Sequence, residues 1–439
     1  MSRRILIALI LCLSIMGALG QNSITLQDAI NLTLENNYGI RISALDQEIA
    51  KNNNNWGAAG RLPRLDFNVN GSRFQSGNPG SFVPQRTNVA LSPTLNWTLF
   101  DGYRIQANKS RLEELERLSY GNAAIIIENN LQAVILAYYQ GLLAQEQLEV
   151  LLQVLKTSRE RLEYESYKTE IGTSGSFDLL QFKNALLTDS ANVLSQEVVL
   201  KNSMRNLKLI MGVEMETEVI LRDPLQENFP SLNWEPLLEK MLSDNNNLKN
   251  QYINNNILRE DVRVARANLY PTISMNGGIT WSAGRLQLIN RDPSTAENMP
   301  YVFTNVTAFD FSAGLTIAFN LYDGGNTRRL IENSRINERI GKLQQEELER
   351  SLENDLIITY DQYQSRRELL LIQLASVENS RQSLEMSKDR FENGLINSLD
   401  YRNIQLQYLN AQFAKFQALR NLKESETELL RLSGALLKE

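Results

Sequence analysis

The chain has 439 residues, a negative mean hydropathy and only 10 prolines, so it is long enough for a large core and permits long helices. A formal net charge of −6 argues against nucleic-acid binding, because no basic excess is present to attract phosphates. The chain contains no histidine and shows no acid–base or nucleophile constellation. We therefore expect neither an enzyme nor a bound cofactor or metal.

The N-terminal segment has the layout of a secretory signal, residues 1–20. Arg3 and Arg4 precede the apolar run 5–16, and small residues stand before an expected cleavage at Gln21. Cys12 lacks the small residue that precedes a lipidated cysteine, so a lipid anchor is not expected. Removing the segment takes two arginines and no acid, which moves the net charge from −6 to −8 and leaves no cysteine. No later run of 18 apolar residues predicts a membrane-spanning helix.

The rest of the chain is one unit built twice, residues 21–222 and 223–439. Similar residues recur at an offset of 208 early in each unit and at an offset of 222 later. The pairs are Leu34/Leu242 and Pro63/Pro271 for the first offset, and Gly102/Gly324, Gly172/Gly394 and Gly212/Gly434 for the second. Insertions are tolerated where a chain is exposed, so we expect the difference to lie in exposed loops at 74–88 and 282–310.

Each unit contains two runs in which apolar and small polar side chains alternate with a period of two, which predicts strands. Their length, about 9 to 11 residues, crosses a bilayer when the strand is tilted. The polar set is mostly Asn, Ser and Thr, which suits a barrel lumen better than an open wet face. A soluble antiparallel sheet gives the same alternation and is the alternative. Aromatic residues near the strand ends would form interfacial belts: Phe100, Tyr103, Trp281, Phe319 and Tyr322.

Two stretches of roughly 65 residues without proline would each extend about 95 Å as a helix. Apolar residues in them recur every seven positions, which predicts coiled-coil packing. The rows are Val134, Gly141, Leu148, Leu155 and Leu162, and Leu356, Tyr363, Leu370, Val377 and Leu384. Short turns at 172–176 and 394–398 lead to return helices, and helices over 26–60 and 234–268 would stack end to end with these. From the rows alone, a helical bundle or a fibrous spacer is the alternative.

Four short motifs mark the start of the chain, the two strand-to-helix junctions and the second tip: Leu26-Gln27-Asp28-Ala29-Ile30, Leu99-Phe100-Asp101-Gly102, Leu321-Tyr322-Asp323-Gly324-Gly325 and Arg390-Phe391-Glu392-Asn393-Gly394. In this order, and with the duplication, these motifs resemble the TolC-like outer membrane efflux protein (outer membrane factor) family over nearly the whole chain. The resemblance implies a mainly α fold with a membrane β-barrel part. In it, a homotrimer with four strands per chain forms a 12-stranded barrel continuous with a helical periplasmic tunnel.

The resemblance also implies a function and partners. The protein would be an outer-membrane exit duct with a large periplasmic portion, in contact with outer-membrane lipid. It would pass small molecules or ions from an inner-membrane pump and a periplasmic adaptor to the outside. An exit duct for type I protein secretion has the same fold and is the alternative. A passive porin would need no helical hairpins, and a structural spacer would need no alternating strands.

Gating residues follow from the position of the second tip glycine. In the family, aspartates six and nine residues beyond it ring the periplasmic mouth, and these positions are Asp400 and Asn403 here. The position two beyond the glycine, where the family often has a basic residue, is Ile396 here, so this chain lacks the basic partner of the usual salt-bridge latch. Three like charges in a narrow pore disfavour anions, so we expect Asp400 to favour cations. Alternatively, Asp400 is an early-helix acid stabilised by the helix dipole, as is expected for Asp178.

The resemblance places adaptor docking at the two helical tips. The tip residues are Gly172, Thr173, Gly394 and Leu395. Their alternative role is only to make the turn between two helices.

Overall fold

The computed structural model describes residues 22–75, 85–225, 227, 229–291 and 298–436. The predicted signal segment and its cleavage site lie outside the described residues. The chain divides into two compact units. The first comprises Met1–Leu45, Gly121–Asn250 and Glu346–Glu439, and the second Asp46–Tyr120 and Gln251–Gln345. Each compact unit takes segments from both sequence repeats, so the compact units do not coincide with the repeats.

The helices and strands recur at the offsets read from the sequence. In chain order they are β1 (Asn22–Ile24), α1 (Leu26–Asn36), α2 (Tyr38–Asn53), β2 (Arg64–Gln75), β3 (Gln85–Asp101), α3 (Arg104–Glu170), α4 (Ser176–Met211), β4 (Val219–Leu221), α5 (Trp234–Asp244), α6 (Asn246–Ala267), β5 (Thr272–Arg291), β6 (Asn298–Ala318), α7 (Asn326–Glu392) and α8 (Ser398–Leu432). Helices α3 and α7 have 67 residues each, or about 100 Å at 1.5 Å per residue. The starts of α3 and α7 are 222 residues apart, and so are the starts of α4 and α8.

The predicted unbroken helices over 26–60 and 234–268 are wrong, because each is interrupted by an asparagine. At the first break, the Asn37 amide donates to the Ile210 carbonyl at 2.8 Å and its side-chain oxygen accepts from the Ile40 N–H at 3.2 Å. Asn245 repeats this at the second break, with distances of 3.0 Å to the Leu432 carbonyl and 3.1 Å from the Leu248 N–H. Each asparagine therefore caps a new helix and fixes it to the end of a return helix.

Interior packing in the first compact unit follows the seven-residue rows. Leu356 and Tyr363 are fully buried, and the Tyr363 hydroxyl donates to the Pro230 carbonyl at 2.6 Å. The other row members are buried or half-buried, which agrees with the predicted coiled-coil packing. A capping box between Thr25 and Asp28 begins α1. In the described part of the chain, no helix is long and apolar enough to cross a membrane.

The second compact unit holds an antiparallel sheet, which has the order β2-β3-β5-β6 within the described residues. Its strands have 12, 17, 20 and 21 residues, so the predicted loop 282–310 is wrong over 282–291 and 298–310. In the predicted loop 74–88, residues 74–75 and 85–88 belong to strands, and 76–84 lie outside the described residues. The ladder between β5 and β6 continues to the pair Arg291 and Asn298. The alternation of apolar residues stops near residue 282, and the strand pairing does not.

A short parallel pair, β1 with β4, was not predicted. Three residues per strand are too few to show a period in the sequence.

Candidate functional site at the helical tips and on the sheet

The two tips are tight turns of the same design. Gly172 and Gly394 have φ values of +78° and +72°, a left-handed conformation that suits glycine. The N–H of the following residue, Thr173 or Leu395, donates back to the helix carbonyl of Lys168 or Arg390 at 2.8 Å. This arrangement closes a helix C-terminus. The predicted docking residues therefore make the turns, and Leu395 is 73% exposed.

Asp400 lies in the first turn of α8, with its backbone N–H capped by the Asn397 side chain at 2.8 Å. Asn403 follows three positions later, so both side chains lie on one face of the helix. Both residues are exposed. Asp178 occupies the equivalent position on α4 and accepts a hydrogen bond from the Ser398 hydroxyl. Asp178 therefore links the two tips in addition to its place in the first turn of a helix.

Aromatic side chains join the two tips. Phe391 stacks on Tyr401, with ring centres 5.2 Å apart, and Phe182 meets Phe391 edge-on at 5.8 Å. The Arg161 guanidinium lies 5.6 Å from the Phe391 ring centre and 5.3 Å from that of Tyr401. Ile396 packs against the same cluster. The position at which the resemblance implies a basic residue therefore contributes an apolar contact here.

A buried ion pair joins α4 and α8 close to the tips. Asp189 is fully buried and accepts from Arg402 at 2.6 and 2.9 Å and from the Ser158 hydroxyl at 2.6 Å. Sequence reasoning missed this pair. Asp189 does stand seven residues after the buried Phe182, in a row where an apolar residue is expected. A charged residue at a position where the row predicts an apolar one is the sequence signal from which this ion pair could have been predicted.

A groove of about 690 Å³ runs along α3, α7 and α8 beside the tips. Charged residues of both signs line its wall: Glu160, Arg161, Arg381, Glu385, Lys388 and Glu392. Beside it on α7, hydrogen bonds from Arg381 and Gln382 lower the pKa of Glu378 to about 2. The groove is thus a polar surface of mixed charge.

One face of the sheet carries an apolar band. By register, its members on β5 and β6 are Ile273/Ile317, Met275/Leu315, Gly277/Ala313, Ile279/Phe311, Trp281/Phe309 and Ala283/Thr307. Leu65, Phe67 and Val69 of β2 continue the same rows through β3. Phe311 is 81% exposed in the single chain, so this apolar face is uncovered by the chain's own described residues. The ten residue-to-residue steps from Ile273 to Ala283 extend about 33 Å along a strand.

The opposite face of the sheet is polar. Ser92 and Thr280 lie there with hydroxyl oxygens 3.1 Å apart, and Asn276 donates to the Thr316 hydroxyl at 3.2 Å. Asp66 on this face accepts from Arg64 at 2.8 Å. Amide and hydroxyl groups predominate, as predicted for a lumen.

The predicted belt residues fall into two groups. Phe100 and Tyr103 have ring centres 5.4 Å apart at the helix end of the sheet, where Tyr270 joins them at 6.0 Å from Tyr103. Phe319 and Tyr322 follow the last residue of β6, at the same end. Trp281 is the tenth residue of the 20-residue β5, so its predicted place at a strand end is wrong. The strand continues because its backbone remains paired beyond the apolar rows.

Comparison with known proteins gives the family. A family described as "Outer membrane efflux protein" matches residues 29–213 and 237–435. Outer membrane protein TolC of Vibrio cholerae is 25% identical over 203 residues, which are 45% of this chain and 43% of TolC. The matched part therefore spans less than half the length of that relative. Alkaline protease secretion protein AprF of Pseudomonas aeruginosa is 21% identical over 92% of this chain and 82% of its own.

The fold is also found among solved structures. The Campylobacter jejuni CmeC outer membrane channel superposes with a TM-score of 0.72 at 16% identity, over 93% of this chain and 85% of that chain. The family match covers most of the described helices and strands. The chain belongs to the outer membrane efflux protein family.

Proposed function

We propose that the protein is the outer-membrane exit duct of a tripartite efflux system. Three copies form one channel that receives small molecules or ions from an inner-membrane pump and a periplasmic adaptor. The observation that carries this proposal is a sheet with one apolar and one polar face in the same chain as helical hairpins of about 100 Å. Four strands are too few for a membrane barrel, since single-chain barrels begin at about eight, so several copies must share one barrel.

The apolar band has the height of a membrane. About 33 Å along a strand tilted by about 40° corresponds to about 25 Å across the bilayer, the height of the apolar belt on outer-membrane barrels. Phe100, Tyr103, Phe319 and Tyr322 then mark the periplasmic boundary. Trp281, with its partner Phe309, marks the outer one. The polar face lines the lumen, and the duct carries out no covalent chemistry.

A second candidate function is the exit duct of a type I protein secretion system. The observation in its favour is AprF, which aligns over nearly all of this chain and whose name assigns it to alkaline protease secretion. Efflux remains the first choice because the family match over 29–213 and 237–435 carries that description.

Asp400 and Asn403 are proposed to line the periplasmic mouth. Both are exposed on one face of α8, close to the tip. In a trimer, three Asp400 carboxylates at one constriction would attract cations and disfavour anions.

The decisive measurement is the conductance of the purified protein in a planar bilayer, for wild type and Asp400→Asn. The amide keeps the side-chain volume and removes the charge. We expect a small, steady, cation-selective conductance in the wild type and loss of selectivity in the variant. Asp389→Asn, an exposed acid before the second tip, is the control and should keep the selectivity. Large channels insensitive to Asp400→Asn would overturn the gating role, and the absence of any channel would overturn the duct.

The tips are the proposed docking surface for the adaptor. Beside Gly172, Thr173, Gly394 and Leu395 they expose apolar side chains: Ile171, Phe177, Leu180 and Leu399. Because the predicted mature chain contains no cysteine, a single introduced cysteine reports its own contacts. Leu395→Cys should cross-link in cells to a periplasmic protein other than a second copy. Leu194→Cys, exposed on α4 away from the tip, is the control. Cross-links formed only between copies would contradict adaptor docking.

A further inference from the structure

Two arginines stand in the row of side chains that follows the apolar band. On the outward face the last apolar row contains Val89 and Ala283. Two residues further along the strands, the register aligns Arg73 with Thr87 and Thr87 with Arg285. All three side chains are exposed. The outward face therefore changes from apolar to cationic within one row.

The position of this row relative to a bilayer follows from the strand geometry. If the band of about 25 Å matches the hydrocarbon core, a row two residues beyond it lies about 5 Å outside that core at a tilt of about 40°. This is the level of the lipid headgroups. The row lies toward the strand ends at Gln75, Gln85, Arg291 and Asn298, at the end of the sheet that is remote in sequence from the starts of α3 and α7. With the helices in the periplasm, that end faces the outer leaflet.

The contacts of the two arginines leave donors free for a ligand. Arg73 donates from Nη2 to the Gln85 side chain at 2.7 Å, which uses one of its five N–H groups. The Arg285 guanidinium lies 4.2 Å from the ring centre of Phe303 on the next row, which orients it along the surface. On this face, the described rows from Ile273 to Gln287 contain no aspartate or glutamate. The two positive charges thus have no carboxylate of their own face to neutralise them.

The spacing of the two side chains suits an anionic headgroup. They are two strands apart, or about 10 Å between backbones at 4.8 Å per strand, with the Thr87 hydroxyl between them. Guanidinium groups bind phosphate oxygens through two parallel hydrogen bonds, which an exposed ammonium does not match. Phosphate is therefore the chemical group that best suits the two guanidinium groups of this row.

We propose that Arg73 and Arg285, with Thr87 between them, bind the phosphate of an anionic lipid headgroup in the outer leaflet, once per chain. This proposal rests on the proposed function, because it requires the apolar band to face lipid. The contact between the two arginines and the headgroup fixes the depth of the channel in the membrane, together with the apolar band.

The test uses native mass spectrometry of the detergent-solubilised protein, titrated with bisphosphorylated lipid A and with the same lipid after removal of its phosphates. We expect the wild-type trimer to retain the phosphorylated lipid, and Arg73→Gln/Arg285→Gln to bind it at least tenfold more weakly. Arg86→Gln is the matched control, because Arg86 pairs with Phe74 and Leu286 on the opposite face of the sheet. Arg73→Lys/Arg285→Lys, which keeps the charge, should bind with intermediate affinity.

Three outcomes would overturn the proposal: equal binding by wild type and the double glutamine variant, an equal loss in Arg86→Gln, or equal binding of the dephosphorylated lipid. Displacement of the lipid by inorganic phosphate at similar concentration would also count against a headgroup site. The same spectra report the oligomeric state. A protein that is not a trimer would refute the proposed duct, whereas a trimer without lipid preference would refute only this site.

Discussion

Arg402 and Asp189 form a bidentate ion pair, with nitrogen–oxygen distances of 2.6 and 2.9 Å, across the boundary between the two sequence repeats. At the offset of 222, neither residue has a like counterpart, since Leu180 corresponds to Arg402 and Ala411 to Asp189. The two repeats have therefore diverged in sequence at the two positions that form this ion pair between them. The pair connects α4 with α8 close to the tips.

Arg402→Ala should destabilise the protein by about 3–5 kcal/mol, because it leaves the carboxylate of Asp189 buried without its partner. The measurement is the free energy of unfolding in detergent, with Arg205→Ala, an exposed arginine on α4, as the control. The double variant Asp189→Leu/Arg402→Met should recover most of the loss, since no buried charge remains. A loss below about 1 kcal/mol in Arg402→Ala would show that water reaches Asp189.

Gly434→Ala should cost more than Gly394→Ala, although both glycines have positive φ values, +65° and +72°. The shared backbone strain amounts to about 1–2 kcal/mol. At Gly394 nothing lies within 4 Å of an added Cβ, whereas at Gly434 the Asp244 carbonyl oxygen would be 2.6 Å away. Thermal unfolding of the two variants checks this order. Equal melting temperatures would contradict the close packing of α8 against the α5–α6 junction.

Asn245→Asp should destabilise the junction between α5 and α6. The acid keeps an acceptor for the Leu248 N–H but replaces the donor to the Leu432 carbonyl with an oxygen. A buried carbonyl left without its donor costs about 1–3 kcal/mol. Hydrogen exchange of the Leu248 and Leu432 region should accelerate at neutral pH. The effect should shrink in acid, where the protonated carboxyl donates again.

Glu128→Gln should stabilise the protein at neutral pH. Burial raises the pKa of the Glu128 carboxyl above its ordinary value of 4.5, against the hydrogen bond from Asn246 and the charges of Arg431 and Lys249. A raised pKa means that the folded state holds the proton more tightly, so the wild type loses stability as pH rises above 4.5. The variant should melt at a higher temperature at pH 8, and the two curves should converge near about pH 4. A difference in melting temperature that is the same at all pH values would show that titration of Glu128 is not its cause.

Much of the architecture could be predicted because it is repetitive. The offset of 222 gave the equal starts of α3 and α7, and the seven-residue rows gave their buried faces. The breaks at Asn37 and Asn245 could not be predicted, because one asparagine within a helical pattern does not reveal which carbonyl it will bind. The strand ends were missed for a different reason. In the proposed duct the apolar alternation follows contact with lipid, and hydrogen-bonded pairing continues where the alternation stops.

The candidate site was predictable to a smaller degree. Glycines at 172 and 394 indicated the turns, because few other residues adopt a positive φ without strain. The contact between Asp178 and Ser398 and the ion pair of Asp189 depend on which helix faces meet. A sequence read one segment at a time does not contain that information.

The equal lengths of α3 and α7 restrict how this chain can change. An insertion of four residues in α3 alone would advance its tip by about 6 Å relative to that of α7. The same insertion, placed before Arg161, would shift this residue about 6 Å along the helix axis and away from Phe391 and Tyr401, which it now contacts from the other hairpin. A change in the length of the hairpins must therefore occur in both sequence repeats together, with the return helices changed to match. Length in this protein is a property of the pair and cannot be adjusted in one hairpin alone.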